Sequence, residues 1–86
     1  MYDVLIQGMI RDLEPVSKEA VGHLRDLKLH QETVDADDLK ALTEVFLDKA
    51  HVRAEFGDEK AMQGLETAAY YCQRLSRLIR GTPVLP

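Results

Sequence analysis

An all-α fold of three to four helices, arranged as an antiparallel hairpin or bundle, is predicted by three features of the 86-residue chain. Asn and Trp are absent and Gly and Pro are few, whereas Leu, Ala, Glu, Lys, Arg, Gln and Met, which lose least on entering a helix, are plentiful. In the last third, Ala61, Leu65, Ala68, Cys72, Leu75 and Ile79 alternate steps of four and three residues, the spacing of a helix packed along another helix. Four points of punctuation then divide what reads as one small domain, 1–86, with no internal repeat or linker.

The first is Glu14-Pro15, since proline lacks an amide donor and is best tolerated at the first position of a helix. Helices over 2–13 and 15–29 are expected there, with one kinked helix from Tyr2 to His30 as the alternative. Ile6, Leu13, Ala20 and Leu27 recur every seven residues, with Met9 and Val16 in companion positions, which favours some continuity.

The second point is Gln31 to Asp38, where Thr33, Asp35, Asp37 and Asp38 mark the start of a third helix over 36–56. Asp35 suits the N-cap, and carboxylates in the first turn meet unpaired amides and the positive dipole end. Leu39, Leu42, Val45, Phe46, Ala50, Val52 and Phe56 form a broad apolar face that should touch two neighbours.

The third is Phe56-Gly57-Asp58, glycine for a left-handed C-terminal position and aspartate to cap a fourth helix over 58–80. So tight a connection implies an antiparallel hairpin. The fourth is Gly81 with Pro83, which end that helix near Arg80 and leave an extended tail, 82–86, whose Val84 and Leu85 dock on the bundle or form an apolar hook.

A chain this short buries only about 60–65% of its unfolded surface, so small domains add disulfides, metals or oligomerisation. One cysteine excludes an intramolecular disulfide and no closed ligand set is visible, which leaves oligomerisation, a homodimer first, as the expected support. The net charge of -4, with both signs interspersed, weighs against nucleic acid as a partner. The longest apolar run, Ala68 to Cys72, falls far short of the roughly 20 residues that span a bilayer. The N-terminal residues carry an early acid and no basic leader, so a cytoplasmic location is expected.

Several residues invite chemistry. His23 and His30 extend the seven-residue pattern two turns apart and could meet their copies across a twofold axis as a metal site or pH switch, but packed, wet rings at a seam edge are the favoured reading, since spacing alone supplies no partner geometry. Glu44, Asp48, His51 and Glu55 share one stripe in which Asp48-x-x-His51 resembles the carboxylate-x-x-His pair of di-iron bundles. The stripe lies opposite the apolar face and has no second such pair, so it reads as a solvated surface with i,i+4 pairs to Lys40, Lys49 and Arg53. Cys72 at the centre of the seam reads as a buried, unactivated thiol. No phosphate loop, HExxH or paired CxxC occurs, and neither an enzyme nor a cofactor is expected.

Arg74, Arg77 and Arg80 form the one local charge imbalance, since no acid follows Glu66. They complement the dipole of a helix C-terminus and also suit an acidic partner. Tyr71 should border the seam and Tyr70 face away, beside the arginines, in the Tyr and Arg combination enriched at interface hot spots. Gly64, flanking Leu65, is the better placed of Gly22 and Gly64 to allow close helix approach.

The segment Leu47 to Gly81, a helix, a Gly-Asp turn and a second apolar-striped helix, resembles the helical-hairpin co-chaperones of type III secretion needles. The likeness covers less than half the chain and rests on features common to hairpins. It implies a groove that covers an aggregation-prone partner helix.

The expected function is therefore that of a non-enzymatic protein-protein interaction module, an adaptor, chaperone or inhibitor. Leu65, Ala68, Tyr71, Leu75 and Ile79 are its expected partner-binding residues, with Arg74, Arg77 and Arg80 selecting an acidic partner. A metal-binding bundle completed by dimerisation and a small DNA-binding regulator using the last helix are the competing readings.

Overall fold

The computed structural model describes residues 2–30 and 34–80, and all its regular structure is helical: α1 (Tyr2–Leu13), α2 (Lys18–His30), α3 (Ala36–Glu55) and α4 (Glu59–Ile79). The His30 side chain and the expected tail with Val84 and Leu85 lie outside the described residues. No helix among the described residues is long and apolar enough to cross a membrane.

The corner between α1 and α2 corrects the expected helix start at Pro15. Pro15 sits in a turn, where the Val16 and Ser17 amides both donate to the Leu13 carbonyl at 2.8 Å. Ser17 is the cap instead: its hydroxyl accepts from the Ala20 amide at 3.2 Å and its carbonyl from the Val21 amide at 3.1 Å. A proline presets a turn as well as it starts a helix, and the serine two residues on decides between them. Helices α1 and α2 are separate, so the single kinked helix does not form.

Helix α3 begins as its acids suggest. Asp35 and Asp38 form a reciprocal capping box, with the Asp38 amide donating to the Asp35 carboxylate at 2.9 Å and the Asp35 amide to that of Asp38 at 3.1 Å. At its other end Gly57 adopts φ 77°, the Asp58 amide donates to Arg53 and the Gly57 amide to Ala54, each at 3.0 Å. That is a Schellman ending. Asp58 then accepts from the Ala61 amide at 3.2 Å and caps α4, so one residue ends one helix and opens the next.

Helices α3 and α4 pack antiparallel as the main hairpin, and α1 and α2 close over it. One continuous core joins all four helices, with Ile6 and Leu13 from α1, Leu24 from α2, Phe46 from α3 and Leu65 and Cys72 from α4 fully buried. Gly64 carries the expected close approach: a Cβ there would lie 2.6 Å from the Val16 carbonyl oxygen. At Gly22 a Cβ would meet nothing within 4 Å, so no close approach occurs there.

The apolar face of α3 is narrower than expected. Leu39, Phe46 and Ala50 are buried and Leu42 packs against the core, but Val45, Val52 and Phe56 are exposed, Phe56 at 80%. The physical reason is that α4 lies along one stripe of α3 while α2 touches it at its flank. The flank contacts are His23, whose ring meets Phe46 edge-on at 5.8 Å, and Glu19, which receives Arg53 at 3.2 Å and Lys49 at 3.5 Å.

Candidate functional site

The seam of α4 closes inside one chain. Leu65, Ala68 and Cys72 are fully buried and Leu75 nearly so, with Tyr71 and Ile79 half-buried against the same core. Leu65 and Ala68, expected to bind a partner, therefore face the chain's own helices, because α3, together with α1 and α2, supplies the apolar surface that the spacing alone could equally assign to a second molecule. Leu75 keeps a marginal role as part of a groove floor.

That groove runs between α1 and α4 and encloses ≈ 290 Å³. Met9 and Leu75, both largely buried, line its floor. One wall presents Val4, Leu5 and Gly8 from α1, and the other Tyr71 and Leu78 from α4. Val4 is 75% exposed and Leu78 67%, values unusual for residues gathered around a concavity. Asp12 and Arg74 supply its two charges, one from each helix. The Arg74 guanidinium lies 5.7 Å above the centre of the Tyr70 ring, a cation-π distance.

Sequence reasoning overlooked Val4, Leu5, Gly8 and Leu78. The usable signal was excess: Val4 and Leu5 add apolar surface beside the Ile6, Met9 and Leu13 stripe, and Leu78 stands off the seam between Leu75 and Ile79.

The arginines do not act as one cluster. Arg74 faces the α1 side, whereas Arg77 and Arg80 line a second cleft, of ≈ 550 Å³, between α3 and α4. Arg80 donates to the Asp37 carboxylate at 2.7 Å, across the end of the hairpin. Lys40, Thr43, Glu44 and Leu47 form the opposite wall, and Gln73 and Ser76 complete the α4 side.

The residues considered for metal chemistry are scattered. His23 packs on Phe46, while Glu44, Asp48, His51 and Glu55 are exposed. Lys49 and Arg53 reach across to Glu19 rather than pairing along their own helix as expected, because the facing α2 flank brings a carboxylate between them. No three His, Cys, Asp or Glu side chains among the described residues are grouped so as to hold a metal ion. Burial pushes the Cys72 thiol up to about 12, far from thiolate chemistry near neutrality.

No protein-family model, curated protein or solved structure matches the chain.

Proposed function

We propose that the chain is a non-enzymatic helical interaction module that receives an amphipathic helix of a partner protein in the α1–α4 groove, acting as an adaptor, chaperone or inhibitor by covering that helix. The observation that carries this reading is the gathering of exposed Val4, Leu5 and Leu78 around a concave, apolar floor of Met9 and Leu75. Removing such side chains from water on binding is favourable by about 25 cal/mol for each Å² covered. The groove's charges set the partner's chemistry: an acid opposite Arg74, and a base opposite Asp12 on the other wall. Tyr70 under Arg74 adds a stiff aromatic rim of the kind enriched in binding hot spots. Gly8, with no atom within 4 Å of where a Cβ would stand, lets a helix backbone approach.

A photo-crosslinking residue at position 78, used in the native cell, tests this. The expected result is one defined adduct whose crosslinked peptide is an amphipathic helix, lost in the Val4→Asp, Leu5→Asp variant while the same residue at exposed position 60 gives none. An adduct of twice the chain's mass would assign the groove to a second copy instead. Equal labelling from positions 78 and 60 would overturn the reading.

A further inference from the structure

The cleft between α3 and α4 lies apart from the groove, on the other side of the α4 ridge, and its composition runs against that of the chain. In a protein of net charge -4, its walls gather Lys40, Arg77 and Arg80 against Glu44 and, at the rim, Asp37. Lys40 makes no ion pair among the described residues. Arg80 does hold Asp37, but both side chains are largely exposed, and such a pair exchanges partners at little cost.

We propose that this cleft is a second docking site, for an acidic peptide segment of a partner protein. Charge complementarity names the occupant's chemistry, and the layout names its extent. The lining residues on α3 run from Lys40 to Leu47, two turns or about 10 Å, and those on α4 from Gln73 to Arg80 over the same length. The cations stand toward one end of this trough, with exposed Leu47 at the other, so the site suits a chain carrying several carboxylates followed by an apolar residue. The two guanidinium groups match carboxylates in bidentate geometry. Glu44, midway along the wall, disfavours an acid at the centre of the segment, which gives the site a reading direction.

Fluorescence anisotropy with a labelled peptide that carries glutamates at one end, glycine at its centre and leucine at the other end tests the site on the intact chain. Saturable binding is expected at low salt, weakening as salt screens the charges, and falling about tenfold or more in the Lys40→Glu, Arg77→Glu variant, whose helix content is checked by circular dichroism. The Leu78→Asp variant, which damages the other groove, should bind the peptide unchanged. Four results would overturn the proposal: no saturable binding at low salt, equal binding by the double variant, displacement by equimolar inorganic phosphate, or an oligothymidylate of the same charge binding as tightly. The third would mark a simple ion site and the fourth a general polyanion surface.

Discussion

The hydroxyl of Ser76 donates to the main-chain carbonyl of Ala36 at 2.9 Å, joining the last turns of α4 to the first turn of α3 inside the protein. One turn further along, Arg80 reaches Asp37 at 2.7 Å, so the open end of the hairpin is clasped twice. The two clasps differ in burial: Ser76 is 6% exposed, whereas the Arg80 and Asp37 side chains are 51% and 83% exposed. Ser76→Ala should cost about 1 kcal/mol and lower the thermal midpoint by about 4–8 °C, as expected for losing a buried hydrogen bond in a small domain. Arg80→Ala should cost only a few tenths of a kcal/mol, about what a solvent-screened surface pair contributes. Thermal unfolding of both variants side by side checks the order; an Arg80 effect larger than that of Ser76 would contradict it.

Gly64 and Gly22 predict opposite signs for the same substitution. In a helix interior, Gly→Ala is worth about 1 kcal/mol in propensity alone. At Gly22 nothing stands within 4 Å of the new methyl, so Gly22→Ala should stabilise by about 0.5–1 kcal/mol. At Gly64 the methyl would lie 2.6 Å from the Val16 carbonyl oxygen and 3.1 Å from the Ser17 Cβ, and the first of these is backbone that cannot swing aside. Overpacking of this kind typically costs about 1–3 kcal/mol, so Gly64→Ala should be net destabilising. Urea unfolding midpoints of the two variants, moving in opposite directions from wild type, are the expected readout.

Local signals carried most of the fold that could be read in advance. The Asp35–Asp38 box and the Gly57-Asp58 turn depend on residues within a few positions of one another, so their geometry is written in sequence. Pro15 misled because its fixed φ suits a turn and a helix start alike, and only the Ser17 cap resolves the choice. The seam of α4 was legible as a seam, yet its partner was not, since Leu65 and Ala68 show the same spacing whether the opposing helices belong to one chain or two. The groove was missed for a related reason. Val4 and Leu78 are remote in sequence, and their meeting across α1 and α4 is a tertiary fact.

Gly57 holds the left-handed conformation at φ 77° between α3 and α4, with nothing within 4 Å to obstruct a side chain. Space is therefore not the constraint, and the backbone is. Gly57→Ala should destabilise by about 1–2 kcal/mol, the cost of that conformation for an L-residue. Gly57→Asn should be milder, because asparagine tolerates the region better than alanine does. Equal losses in the two variants, measured by urea unfolding, would point to a clash rather than to conformation.

The Cys72 thiol predicts an alkaline weakness. Burial raises it from an ordinary value of 9.0 to about 12 in the folded protein, because a thiolate there would be stripped of water. Below about pH 9 both folded and unfolded chains keep the proton, and the thiol makes stability no function of pH. Between about pH 9 and about pH 12 the unfolded chain releases it while the folded chain does not. The unfolded state is favoured, and stability falls by about 1.4 kcal/mol per pH unit until the folded thiol also ionises. The quantity to measure is a difference, in which contributions common to both proteins cancel: urea midpoints of wild type and Cys72→Ala between about pH 8 and about pH 11. Cys72→Ala should start lower, having lost buried volume, yet decline more gently, so that the two curves converge as pH rises. Alkylation should follow the same logic, with iodoacetamide reacting slowly in buffer and rapidly in urea at one pH. Parallel stability curves, or fast alkylation of the folded chain, would mean that the thiol is reachable by water despite its position in the core.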